Sequence, residues 1–238
     1  MNALRVMTYN IRGARGSDDR IDLDRIAGVI EPYGPDIVAL QEVDVNRARS
    51  GAIDQAHQLG ERLGMTVRFG PTVEHGSEQY GIATLTRLPI VDYRQLCLPR
   101  RAQREPRCAL VTRLAWRDIE LDMINTHLST QLSERGEQLA ALLSALGEDR
   151  ATETIIAGDF NCTPWSRPFR ALCCGLTSAA SPRSWPARLP VVPVDHILFR
   201  GRLRVVRSGL WRGPGVRRAS DHMPVVAELE TLAKDRAA

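Results

Sequence analysis

Short apolar runs that break off into a carboxylate, an amide or an imidazole recur along the whole chain. Thr154-Ile155-Ile156-Ala157 runs into Gly158-Asp159-Phe160-Asn161. Asp36-Ile37-Val38-Ala39-Leu40-Gln41 ends at Glu42, and Leu121-Asp122-Met123-Ile124-Asn125-Thr126 leads into His127. Runs of this length suit buried strands better than helices. Polar residues collected at strand ends are where an α/β protein builds a site.

The rest of the pattern fits. Strands are predicted over 5–10, 36–42, 66–69, 81–86, 109–114, 121–126, 154–157, 195–199, 203–206 and 225–229. Helical spacing of Leu23, Ile26, Ala27 and Ile30 predicts a helix over 21–33, with Asp22 as N-cap and Pro32 and Gly34-Pro35 as the stop. Further helices are predicted over 54–63, 168–174 and, most clearly, 132–146, where Leu139, Leu142, Leu143 and Leu146 share a face. This alternation fits two packed sheets with helices outside or one open α/β sheet, and the periodicity favours neither.

The chain has 238 residues, 43% apolar and 25% charged, an ordinary globular balance. No Gly/Ser- or Pro-rich linker divides it, so residues 1–238 are expected to form a single domain. No apolar leader follows the N-terminus, and no run approaches the length of a membrane span. Five cysteines without a Cys-x-x-Cys pair argue against a disulfide framework. A cytoplasmic location is the expectation. Net charge is +4, almost all from arginine, with Lys234 the only lysine. Arginine suits bidentate contact with phosphate, although a compositional bias of the genome gives the same excess.

Asn10, Glu42, Asp159, Asn161 and Asp221 offer hard oxygen ligands, which suit Mg²⁺ or Mn²⁺. No thiolate or His-x-x-x-His pair joins them, which argues against a zinc hydrolase. There is no Gly-x-x-x-x-Gly-Lys-Ser/Thr loop, which excludes a P-loop nucleotidase, and no Gly-x-Ser-x-Gly elbow. Taken singly, Asn10 reads as a turn residue, Glu42 as a solvated strand end, Asp195 as a cap and His127 as a core histidine. Their order along the chain is what gives them weight. His196 neighbours Asp195 on a strand, points to the opposite face and reads as structural.

Seven strings carry a resemblance. They are Thr8-Tyr9-Asn10-Ile11-Arg12, Leu40-Gln41-Glu42-Val43, Gly81 to Arg87, Asn125-Thr126-His127-Leu128, Gly158-Asp159-Phe160-Asn161, Val194-Asp195-His196-Ile197 and Ser220-Asp221-His222-Met223-Pro224. In order and content they resemble the endonuclease/exonuclease/phosphatase superfamily, which includes deoxyribonuclease I-, exonuclease III- and sphingomyelinase-like enzymes. The chain looks like one of its small bacterial members.

The resemblance implies a four-layered α/β sandwich, two mixed β-sheets face to face with helices on both outer sides. It implies Glu42 as principal metal ligand, with Asn10 and Asp221 as its partners. Asp159 and Asn161 would orient the attacking water and hold phosphoryl oxygens. His222 would be the catalytic histidine, Asp195 the carboxylate that fixes its tautomer, and His127 a contact to the phosphate or leaving group. Either Asp159 or His222 can serve as base.

Two arginine-rich stretches, 98–107 and 200–218, offer Arg107, Arg217 and Arg218 for substrate phosphate, against the plain reading of a solvated surface. Arg107 also resembles an arginine that small bacterial members carry just before a strand. The expected activity is a Mg²⁺- or Mn²⁺-dependent phosphodiesterase, a nuclease or a lipid-headgroup enzyme. Peripheral contact with an anionic membrane surface is open on this reading. The alternatives are a phosphomonoesterase acting on a small metabolite and a catalytically silent binding scaffold.

Overall fold

A computed structural model describes residues 3–146 and 153–232. Twelve strands and five α-helices are present among these residues. The strands are β1 (Leu4–Asn10), β2 (Ile37–Val45), β3 (Thr66–His75), β4 (Glu78–Thr86), β5 (Ile90–Cys97), β6 (Cys108–Trp116), β7 (Ile119–His127), β8 (Glu153–Asp159), β9 (Thr177–Ala180), β10 (Asp195–Arg200), β11 (Leu203–Leu210) and β12 (Val225–Thr231). The helices are α1 (Leu23–Ile30), α2 (Gln55–Leu63), α3 (Leu132–Ala145), α4 (Arg167–Leu172) and α5 (Val216–Ala219).

The strands form two six-stranded sheets, ordered β11-β12-β1-β2-β4-β3 and β5-β6-β7-β8-β10-β9. Each sheet has one parallel pair at its centre, β1 with β2 and β7 with β8. Every other pairing is antiparallel, so both sheets are mixed. The sheets pack face to face with helices around them. This is the sandwich that the resemblance implied, and it removes the open-sheet alternative.

Alternation along the strands explains the layers. Leu4, Val6, Ile37 and Ala39 point inward and meet Leu121, Met123, Ile155, Ala157 and Ile197 of the other sheet. The intervening Met7, Tyr9, Val38 and Leu40 point outward onto Ile26, Ile30, Leu59 and Leu63 of α1 and α2. Ile124, Ile156 and Leu198 point outward on the other sheet, onto Leu139 and Leu142 of α3 and Phe169 and Leu172 of α4. The central strands are apolar throughout because both of their faces are covered.

Local chemistry sets the helix starts. Asp22 accepts from the Arg25 amide and Asp54 from the His57 amide, which satisfies a free N–H in each first turn. The first predicted helix is shorter than expected: Glu31–Tyr33 is a 3₁₀ turn with Pro32 in it. Leu143 does not join the buried face of α3 and is 43% exposed. Two strands escaped the sequence reading. β5 is an edge strand whose residues are mostly exposed, and β9 is a short edge strand of small residues. Neither carries an apolar run. Among the described residues, no helix is long and apolar enough to cross a membrane.

Candidate active site

The parallel pairs carry their C-terminal ends to one end of the sandwich. Asn10 closes β1, Glu42 lies on β2, His127 closes β7 and Asp159 closes β8. β10 runs antiparallel to β8 with Asp195 opposite Asp159, so the first residue of β10 arrives at the same place.

Backbone irregularities aim the carboxylates. The β2–β4 register shifts between Leu40 and Val43, a bulge that frees Glu42 from the regular ladder. Glu42 has φ +56°, a left-handed conformation rare for such a residue. It is the only residue of β2 that is not fully buried. Its neighbour Gln41 turns inward and donates to Asn125 Oδ1 on the facing sheet at 2.8 Å. Asn125 in turn donates to the carbonyls of Leu40 and Ala83. A satisfied polar network thus crosses the core directly beneath the site.

Each residue of Gly158-Asp159-Phe160-Asn161 has its own task. A Cβ at 158 would stand 1.9 Å from the Thr126 carbonyl oxygen, so only glycine lets β7 and β8 approach this closely. Phe160 is fully buried and packs edge-on against Phe169. Asn161 has φ +49°, and its backbone N–H donates to Asp159 Oδ1 at 2.9 Å, a local turn bond. Its side-chain amide donates to the Leu128 carbonyl at 2.9 Å.

The two sheets meet at one amide. Asn10 Nδ2 donates to Glu42 Oε1 at 2.9 Å and to Asp159 Oδ2 at 3.1 Å, while its Oδ1 accepts from the Arg12 amide. His222 Nδ1 lies 2.9 Å from Asp195 Oδ2. Its Nε2 is 3.8 Å from Asp159 Oδ2, and His127 Nε2 is 3.6 Å from that same oxygen. Ser220, which the sequence reading passed over within its own Ser-Asp-His string, binds the cluster together. Its Oγ donates to the Asn10 carbonyl at 2.8 Å and accepts from the His222 amide at 3.3 Å.

The two histidines have opposite partners at Nδ1, a donor for His127 and an acceptor for His222. Arg107 Nη1 stands 2.9 Å from His127 Nδ1, and a guanidinium can only donate. Nδ1 of His127 is therefore the acceptor and its proton sits on Nε2, facing Asp159. Burial, then the charges of Arg107 and His222, keep this imidazole neutral by holding its pKa well below the usual histidine range. His222 is the reverse: a carboxylate can only accept, so Nδ1 carries the proton and Nε2 faces the site. Burial opposes its charge but is outweighed by Asp195 and Asp159, which raise its pKa. Burial and Asp195 raise that of Asp159 in turn.

His196 behaves as its place on the opposite strand face predicts. It is fully buried, bonded through Nε2 to the Cys162 carbonyl at 2.8 Å and through Nδ1 to Ser181 Oγ at 2.9 Å. Burial pushes its pKa down to about 4.

The remaining sequence-selected residues, apart from Arg107, lie further out. Asp221 is half-exposed, with Oδ2 at 3.9 Å from Arg12 Nε, and reaches Asn10 only through Ser220. Arg107 is paired to Glu105 at 2.8 Å. Arg218 is engaged by Asp18 at 3.0 Å, and Arg217 donates to the Arg188 carbonyl at 2.8 Å. Arg217 and Arg218 line a cavity of about 300 Å³ together with Arg212 and Met223, the residue after His222. On the other side, Glu42 opens on a cleft of about 230 Å³ walled by Arg12, Arg15 and Arg49. These three arginines were not singled out by sequence, although Arg12 lies inside the first matching string.

The donor set fits a hard divalent cation. Among the described residues no arginine or histidine nitrogen lies within ion-pair distance of the Glu42 carboxylate, and a carboxylate fixed by an amide is an oxygen ligand of the type Mg²⁺ takes. The oxygens and nitrogen of Asp159, Asp195 and His222 also lie within 4.8 Å of one another. The 2.9 Å contact between His222 and Asp195 is instead that of a hydrogen-bonded dyad.

Residues 7–222 match the Endonuclease/Exonuclease/phosphatase family, and the chain belongs to it. This is a family of phosphoester hydrolases. Solved structures agree in fold. An endonuclease/exonuclease/phosphatase from Beutenbergia cavernae DSM 12333 superposes with a TM-score of 0.81 at 23% identity, over 97% of this chain and 72% of the other. The human nocturnin catalytic domain with a bound sulfate anion gives 0.76 at 24% identity, over 97% and 95%. A mannosyl-6-phosphatase from Bacteroides thetaiotaomicron VPI-5482 gives 0.79 at 20% identity, over 96% and 100%.

Proposed function

We propose that this chain is a Mg²⁺- or Mn²⁺-dependent phosphodiesterase acting by direct attack of water on phosphorus, as one catalytic domain. The observation that carries the reading is the Asn10 amide, which joins Glu42 of one sheet to Asp159 of the other beside the Asp195–His222 dyad. Glu42 would hold the cation, with Asn10 and Asp221 supporting it. When bound, the cation supplies Lewis-acid screening of the phosphate charge.

The chain's own groups do the rest. Asp159, fixed by the Asn10 side chain and the Asn161 amide, orients the water. Water's proton passes to the Asp159–His222 pair, whose facing atoms are 3.8 Å apart. Asp195 keeps the His222 ring in place and its Nδ1 protonated. His127, neutral with a proton on Nε2, donates to a phosphoryl or leaving-group oxygen, and Asn161 supports a second. The new P–O bond forms as the bond to the leaving alkoxide breaks, and that alkoxide takes up a proton from the site. A mannosyl-6-phosphatase among the fold neighbours keeps a phosphomonoester substrate as the second reading.

The test is a metal-dependent screen of plasmid DNA, an RNA oligomer, phospholipid vesicles, bis-p-nitrophenyl phosphate and p-nitrophenyl phosphate. Diester turnover that needs Mg²⁺ or Mn²⁺ is expected. A preference for the monoester would move the assignment to the second reading. Absence of turnover together with no metal-induced rise in melting temperature would leave a binding scaffold.

A further inference from the structure

The loop over residues 181–194, between β9 and β10, is fastened to the dyad. Ser184 Oγ accepts from the Asp195 amide at 3.3 Å, and its carbonyl accepts from the Met223 amide at 2.9 Å. The Ala187 amide donates to the Asp221 carbonyl at 2.7 Å. The loop therefore grips the backbone on both sides of His222 and the start of the strand that carries Asp195. Ala187 is buried in the helical layer beneath, and a Trp185–Val192 bridge closes the loop's neck.

Beyond that neck the loop turns three large apolar side chains to solvent. Trp185 is 40% exposed, Leu189 70% and Val191 50%. One such residue on a surface is ordinary, but three within seven residues on one loop form a patch. Its flank is rich in arginine, although Arg188 donates to the Ser17 carbonyl and Arg218 is paired to Asp18. Arg183 and Arg188 are exposed in the same loop, and Arg217 reaches the Arg188 carbonyl beside Leu189. Segments 181–194 and 211–220 contain no Asp or Glu. Prolines at 182, 186, 190 and 193 restrict the backbone, so little freedom remains to be lost on docking.

We infer that this loop docks the protein on an anionic lipid surface. Leu189, Val191 and Trp185 enter the interfacial region, and the flanking arginines meet lipid phosphates. A nucleic-acid strand fits the same loop less well. Bases stack on aromatic faces, and two of the three exposed side chains are aliphatic. The docking stands on the loop itself. Its consequence, that the diester hydrolysed is a lipid headgroup, rests on the phosphodiesterase reading above.

The experiment is co-sedimentation of the full chain, in EDTA, with phosphatidylcholine vesicles made with and without phosphatidylglycerol. Wild type is expected to sediment with the anionic vesicles and far less with the neutral ones. Leu189→Asp is expected to lower the partition coefficient by roughly tenfold or more, and Arg188→Gln to lower it and flatten its salt dependence. Both variants should melt like wild type and turn over bis-p-nitrophenyl phosphate at its rate. No sedimentation of wild type, or equal sedimentation of Leu189→Asp, overturns the proposal. So does Trp185-dependent binding of a single-stranded oligonucleotide by a protein that ignores vesicles. Because sedimentation is measured without metal, failure of the phosphodiesterase assay leaves this result separately readable.

Discussion

The side-chain amide of Asn10 donates to Glu42 at 2.9 Å and to Asp159 at 3.1 Å, and so couples two carboxylates that belong to different sheets. Two anions drawn together by one neutral amide repel each other unless a cation sits nearby. On the proposed reading a divalent cation would relieve that repulsion, and this sets the first expectation.

Glu42→Gln keeps the shape and the bond to Asn10 while removing the charge. Activity is expected to collapse, and Mg²⁺ or Mn²⁺ should no longer raise the melting temperature. Asn10→Ala should cost less, roughly 10- to 100-fold in metal affinity or rate, because it orients rather than anchors. Metal stabilisation that survives Glu42→Gln would transfer the principal ligand to the Asp159 side of the cluster.

Asp195 Oδ2 lies 2.9 Å from His222 Nδ1, and on the proposed reading it acts through that ring. Asp195→Asn and His222→Ala should each reduce kcat by about 10²–10⁴-fold, and the double variant should be little worse than the weaker single. Asp195→Asn should also lower the pH at which His222 titrates, because the carboxylate that favours its charge is gone. An NMR titration checks this, and multiplicative rate losses would separate the two residues.

Arg107 holds His127 in one tautomer. In wild type, the imidazole ¹⁵N shifts should report a bare Nδ1 and a protonated Nε2. Arg107→Met should admit the other tautomer and lower kcat more than it raises KM. If KM rises with kcat kept, Arg107 binds substrate phosphate instead.

His196 gives a stability signature. Its pKa is pushed down from 6.5 to about 4 by burial, so between those values the unfolded chain binds a proton that the native state refuses. Stability from this residue is therefore full above about pH 6.5 and is lost as the pH falls towards 4, by about 3 kcal/mol. His196→Gln should be less stable than wild type at pH 8, and the gap should narrow as the pH falls. Parallel denaturation curves at every pH would remove His196 from the acid sensitivity.

What a residue meets across space was not legible in sequence. Arg12, Arg15 and Arg49 were passed over because nothing local distinguishes an arginine that walls the Glu42 cleft from one on a solvated surface. Ser220 was in view, but its bond to the Asn10 carbonyl joins parts of the chain 210 residues apart. β5 and β9 were missed because an edge strand needs no apolar run, being stabilised by a single neighbour.

By itself the sequence determined the strand-and-helix alternation, since buried strands must be apolar and their polar exits stand out against them. It also determined the order of the seven strings, which pointed to the family and to two facing sheets. Only the tertiary structure decided that Asn10 bridges Glu42 and Asp159, that Arg107 and Asp195 each face Nδ1 of one histidine, and that the 181–194 loop grips the dyad while baring its apolar tip. Hydrogen bonds and burial depend on which atoms face each other after the sheets close, and no periodicity along one chain records that.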